Sequence, residues 1–448
     1  MSPEIRPILR LAFPLMIGQL GQMLMGVADT VMVARVGIVE LAALTFANTL
    51  FYVPFVFGIG ILTSVSVRTA NARGSGDPVA ARASCRHGLY IGLALGLVLF
   101  LAALLLSNHL SWFGQPVEVA ARTPRVFCIL MASLVPGLAT IALKNHADAL
   151  NRPWTPFWIS LGGVGLNVGL NWLLIYGNLG FPKLGLEGAG WATFISRWCI
   201  ALTLLIWLSS AKGIRDWVPY RWLRMPVLRD LRHLLVLGWP ASLQMLSEVA
   251  AFSTAALMVG HFGTIALAAH QVALSCAATA FMIPLGLSMA LTVHIGEAQG
   301  AESRERLRAI VLAGWGLAAG FAVVTAAGFL VFGAHLSRLF VNEPDAISLS
   351  ASLLVVVGVF QIFDGIQVAS SSMLRGLHDV RLPAVMGFTA YWLVGLPCGA
   401  LLAFGPVPGP RGIWWGLAIG LATAALTLGP RLWKLTRFPK VFGNFQKL

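Results

Sequence analysis

Apolar stretches at about 8–34, 44–70, 88–107, 123–145, 154–177, 189–211, 231–260, 268–295, 309–334, 347–374, 382–404 and 412–433 leave this chain little choice of solvent. Each is longer than the 10 to 14 residues of an ordinary buried helix, and a span of about 20 residues crosses the roughly 30 Å of bilayer hydrocarbon, with some room for tilt. Inside that hydrocarbon every backbone N–H and C=O must be paired within the segment, so the runs read as helices. Composition agrees: 58% of residues are hydrophobic and 11% are charged, against about 25% charged in soluble domains. The expected fold is an all-α integral membrane protein of twelve transmembrane helices. The first run starts by residue 8 without a small-residue cleavage site and is expected to be a retained helix.

The net charge of +14 would suit a nucleic-acid binder only if Lys and Arg were gathered on a groove with stacking aromatics. Here they fall between apolar runs. With both termini cytoplasmic, the cytoplasmic segments carry 24 of the 31 Lys and Arg residues and the opposite side 6, with Arg197 left inside the sixth helix. Positively charged loops stay in the cytoplasm, so the bias gives the orientation of a multi-pass protein in the cytoplasmic (inner) membrane. The richest segment joins the sixth and seventh helices and carries Lys212, Arg215, Arg221, Arg224, Arg229 and Arg232. It reads as a basic linker at 212–230 lying against anionic headgroups, between an N-terminal lobe at 1–211 and a C-terminal lobe at 231–448 that ends in a basic cytoplasmic tail.

A shift of 226 residues lays Leu11–Gly74 on Leu237–Gly300 without a gap and matches 15 of 64 positions, among them Pro14 with Pro240, Gly37 with Gly263 and Gly74 with Gly300. Leu150 to Pro156 also resembles Leu377 to Pro383. Two six-helix lobes related by a parallel internal repeat follow, with a substrate path expected between them.

Of seventeen acidic residues, Asp29, Glu248 and Asp364 lie deep in apolar helices. A carboxylate there is expensive unless it meets a wet cavity, a cation or a proton, and as mere helix glue a neutral amide would be cheaper. The repeat places Glu248 on Gln22 and Asp29 on Ala255, so the lobes carry their carboxylates differently. Asn167 and Asn171, four apart on the fifth helix, share a face and could join Asp29 around a cation or simply tie helices together; Thr193 is open to the same two readings. Gln244 stands one turn before Glu248 and Gln361 just before Asp364, so the second lobe is expected to have its own polar cluster; Phe360, one turn before Asp364, offers a ring and no oxygen. His270 is either a polar spot or a packing residue. Trp154, Trp158, Trp172, Trp191, Trp392, Trp414 and Trp415 are mostly explained as an interfacial belt.

The five cysteines are scattered without a CxxC pair, and no metal-ligand cluster, nucleophile elbow or phosphate loop is present in the sequence. The chain is therefore expected to be neither an enzyme nor an ATP-driven pump. It needs no cofactor and holds no metal beyond a transient Na⁺ at the acidic residues. A receptor or scaffold would leave three membrane carboxylates unexplained.

Gly26-Val27-Ala28-Asp29-Thr30-Val31-Met32, Leu170-Asn171-Trp172, Gly188-Ala189-Gly190-Trp191-Ala192-Thr193, Ala268-Ala269-His270-Gln271-Val272 and Arg375-Gly376-Leu377-His378-Asp379 occur in an order and spacing that resembles the multidrug and toxic compound extrusion (MATE) family, nearest its NorM-like bacterial branch. The resemblance implies a secondary antiporter that exports cationic or amphipathic small molecules in exchange for inward Na⁺ or H⁺ and works as a monomer in the lipid bilayer. It implies ion- or drug-linked roles for Asp29, Glu248 and Asp364, with Asn167, Asn171 and Thr193 as polar neighbours of the first. Phe360 stands where some relatives, by the same resemblance, have an oxygen-bearing ring. The rival within that superfamily is a flippase for a lipid-linked precursor, whose cleft should be basic, whereas the embedded charges here are mostly acidic.

Overall fold

A computed structural model describes residues 3–437, and the tail expected beyond them lies outside the described residues. Among the described residues, twelve helices are long and apolar enough to cross a membrane: α1 Ile5–Ala34, α2 Ile38–Gly74, α3 Pro78–Ser107, α4 Val117–Ala149, α5 Trp154–Tyr176, α6 Leu186–Ser210, α7 Leu228–Gly260, α8 Thr264–Gly300, α9 Arg304–Arg338, α10 Pro344–Gly376, α11 Arg381–Ala403 and α12 Pro410–Arg437. Two of them are irregular. A turn at Ser133 divides α4, and α11 passes through a π-helical stretch at Thr389–Gly395.

The internal repeat extends to turn chemistry. Helices α2 and α8 both have 37 residues, and α2, α3, α8 and α9 begin at positions that obey the 226-residue shift. The turn before α3 uses Gly76 in the left-handed region (φ +71°), and its counterpart Glu302 has φ +53°. A residue with a Cβ gives up about 1–2 kcal/mol in that conformation, so the shared turn outlasts the glycine that suits it. Asn151 and His378 repeat the same left-handed turn after α4 and α10, where the sequence resemblance between Leu150–Pro156 and Leu377–Pro383 had fallen. Asp77 caps α3, accepting from the amides of Val79 and Ala80 at 2.9 and 3.0 Å with Pro78 behind it, an arrangement worth about 1 kcal/mol.

The chain divides into two compact units, one of Ile17–Ser242 and one of Met1–Met16 with Leu243–Leu448. This division differs from the sequence segments 1–211, 212–230 and 231–448. The breaks fall within α1 and α7, two residues after the repeat-related Pro14 and Pro240, each of which lies inside its helix. A proline inside a helix removes one backbone hydrogen bond and crowds the preceding turn, so packing partners can change there.

The linker belongs to the 17–242 unit and is tied down along its length. His146 bridges the Thr69 hydroxyl (3.0 Å) and the Trp217 carbonyl (3.1 Å). The Tyr90 hydroxyl reaches the carbonyls of Trp222 and Arg224, His87 Nε2 accepts from the Val227 amide at 3.0 Å, and Arg68 pairs with Asp230 at 3.5 Å.

In the second unit a core cluster surrounds Trp414, which is fully buried. The interfacial-belt reading therefore does not hold for Trp414, whose indole packs on Phe360 (5.5 Å between centroids) and His270 (5.6 Å). His270 is buried in the same cluster, on the packing side of its two readings. Trp154, Trp158, Trp172, Trp191 and Trp415 are exposed, as a belt requires.

Candidate functional site: two carboxylate clusters

In the 17–242 unit, four side chains from α1, α5 and α6 close a ring. Asn171 Nδ2 donates to Asp29 Oδ1 at 2.5 Å and lies 3.2 Å from Asn167 Oδ1. Asn167 Nδ2 donates to Thr193 Oγ1 at 3.4 Å, and that hydroxyl lies 3.5 Å from Asp29 Oδ2. Asn167 and Asn171 come together because a spacing of four puts both on one face of α5. α6 can approach because Gly188 lies where a Cβ would meet the backbone of Leu174 at 2.7 Å.

As helix glue alone the ring would be costly. Interhelical hydrogen bonds in membrane proteins average about 0.6 kcal/mol, while an ionised aspartate at a helix centre costs about 2.5–3.5 kcal/mol, so the three interhelical bonds of the ring fall short of that cost. A neutral Asn at position 29 would make the same contacts more cheaply. The oxygens also outnumber the donors, since Asn171 Oδ1 is buried without a hydrogen-bond donor. A set of oxygens rich in acceptors is what a hard monovalent cation or a proton donor can complete.

In the other unit, Glu248 on α7 and Asp364 on α10 act electrostatically on each other, and Asp364 is 6% exposed. Gln244, one turn before Glu248, donates from Nε2 to Glu248 Oε1 at 3.2 Å and exchanges contacts of 3.1 and 3.2 Å with the Ser371 hydroxyl of α10. Trp392 of α11 donates to the Ser247 hydroxyl at 3.0 Å and so holds the turn of α7 that carries Glu248. Phe360 and Phe252 pack edge to face at 6.0 Å beside the buried Tyr391, giving this cluster an aromatic wall.

One sequence suggestion fails here. Gln361 does not join the carboxylates; its amide donates to the Ala277 carbonyl of α8 at 3.1 Å, tying α10 to its neighbour. Three groups were missed: Ser371, Arg375 and Tyr391, the last two lying within the electrostatic reach of Glu248. A signal for the first two was available, because Asp364, Gln367, Ser371 and Arg375 follow one another at spacings of three, four and four and form a polar stripe on α10. Tyr391 had no such signal, since it reaches the cluster through the π-helical stretch of α11.

Comparison with known proteins gives one answer at three levels. The MatE family model matches the chain twice, at 14–173 and 240–401, and the two matches begin 226 residues apart, the shift of the internal repeat. The chain is 36% identical over 444 residues to the probable multidrug resistance protein NorM of Bradyrhizobium diazoefficiens, covering 98% of this chain and 95% of the relative. It is 32% identical to the multidrug resistance protein PmpM of Pseudomonas aeruginosa, covering 97% and 92%. Its fold is similar to the crystal structure of the Vibrio cholerae MATE transporter VcmN in the bent form, with a TM-score of 0.88, 22% identity and 97% of each chain covered.

Proposed function

This chain belongs to the MATE family of multidrug efflux transporters, and from that premise we propose that it is a secondary antiporter exchanging inward Na⁺ or H⁺ for outward cationic or amphipathic compounds. The observation that carries the proposal is the pair of carboxylate clusters, one in each compact unit, set in helices otherwise apolar enough to span a membrane. Asp29 is the ion or proton site of the first unit, with Asn167, Asn171 and Thr193 as its polar shell. Glu248 and Asp364 form the ion-linked and drug-linked centre of the second, supported by Gln244. One feature supports these roles: the acceptor-rich ring around Asp29, which a cation or a proton donor can complete.

Transport in sealed vesicles tests the coupling. Reconstituted protein should accumulate a fluorescent cation when a Na⁺ gradient or a pH gradient is imposed, and the gradient that drives uptake names the ion. Uptake unaffected by both gradients would overturn antiport.

The protein sits in the cytoplasmic membrane as a functional monomer with both termini and the 212–230 linker inside, a placement supported by the 24 to 6 split of basic residues. A thiol at Asn178 in a background lacking accessible cysteines should label from outside intact cells, and one at Met225 only after permeabilisation. The opposite pattern would invert the topology.

A further inference from the structure

Arg197 is a cation inside a membrane-spanning helix for which neither the ring around Asp29 nor the topology provides a use. Its guanidinium donates to the Ser133 hydroxyl at 2.8 Å, at the turn that divides α4. The same group lies 4.8 Å from the centre of the Phe51 ring and 5.3 Å from that of Phe55, both on α2. A Cβ at Gly137 of α4 would come within 3.5 Å of its side chain. The charge is thus held by a hydroxyl and two aromatic faces, which fix its position without neutralising it.

Its place on α6 gives that charge a target. Thr193, whose hydroxyl is 3.5 Å from Asp29 Oδ2, precedes Arg197 by four residues, so the two side chains stand one above the other on the same face. Of the elements packed around the guanidinium, α2 presents Phe51 and Phe55 and α4 presents Ser133 and Gly137, while the Asp29 carboxylate of α1 lies within its electrostatic reach.

We propose that Arg197 is a resident counter-charge of the Asp29 site, a positioning residue that balances the carboxylate when no ion is bound and lowers the site's affinity for the incoming cation so that the ion can leave again. The proposal rests on the reading of Asp29 as an ion site. A carboxylate whose only partners are neutral would hold its first cation too tightly to turn over, and a fixed positive charge one turn along α6 from Thr193 shortens that residence without occupying the site.

The test uses the purified full-length chain and two titrations, apparent Na⁺ affinity at fixed alkaline pH and apparent proton affinity in Na⁺-free buffer, both followed by intrinsic tryptophan fluorescence. Arg197→Gln should bind whichever ion the parent binds about tenfold more tightly, because one nearby positive charge is gone. Arg197→Lys keeps the charge and should stay close to the parent. Arg197→Met, whose apolar stem fits between the two phenylalanine rings, supplies a second neutral variant if Arg197→Gln does not fold. In an Asp29→Asn background the tightening should vanish. Neutral variants that bind the ion no more tightly than the parent, or a Lys variant that shifts as far as the neutral ones, would overturn the role of Arg197 while leaving the Asp29 site intact. Unchanged ion binding in Asp29→Asn alone would overturn both.

Discussion

An Asp29→Asn protein should insert and fold like the parent yet export a fluorescent cation at about a tenth of the parental rate or less, a loss of at least about 1.4 kcal/mol of transition-state stabilisation. The substitution is nearly isosteric, and an asparagine can still meet Asn171 and Thr193, so the ring keeps most of its contacts. With interhelical bonds worth about 0.6 kcal/mol each, the stability change should stay within about 1–2 kcal/mol. What disappears is the negative charge, the one property the ring needs for a cation or an exchangeable proton and does not need as glue. Uptake into inverted vesicles, normalised to the amount of monodisperse protein recovered, measures the effect. Full transport by a well-expressed variant would show that the first-unit site is dispensable.

Glu248→Gln combined with Asp364→Asn should uncouple drug from ion. If one centre serves the two ligands in turn, each must weaken the other's binding by the same factor. Across a range of pH and Na⁺ over which the parent's affinity for a fluorescent cation changes about tenfold, the double variant's affinity should change less than about twofold. Gln244 can still meet an amide at position 248 and keeps its contacts to Ser371, so the α7–α10 junction survives the change. Fluorescence anisotropy on purified protein gives both affinities. Ion dependence in the double variant equal to the parent's would place the coupling elsewhere, with Asp29 the next residue to test.

The two sites differed in how far they could be read from sequence. The first was legible almost whole: Asp29 was conspicuous by its cost, Asn167 and Asn171 by their spacing of four, and Thr193 by standing on the next helix in the same resemblance. The second was half legible. Glu248, Asp364 and Gln244 were visible, but Gln361 was drawn in by proximity along the chain, although its amide reaches the Ala277 carbonyl on a neighbouring helix. Adjacency in sequence separates side chains by about 100° around a helix, so a neighbour of a functional residue points elsewhere more often than not.

By itself the sequence determined the number and order of the spanning helices, the repeat of 226 residues and the identity of the deep carboxylates. Those properties follow from burying apolar surface and from the cost of charge in hydrocarbon, which act residue by residue. Only the tertiary structure decided where the compact units divide, because α1 and α7 read as unbroken apolar runs and the change of packing partner after Pro14 and Pro240 leaves no mark on hydropathy. It alone decided that Trp414 is core rather than belt, since an indole is apolar enough for both and the choice depends on which helices close around it. It also set Arg197 over the rings of Phe51 and Phe55, contacts between residues more than a hundred positions apart that no local sequence pattern announces.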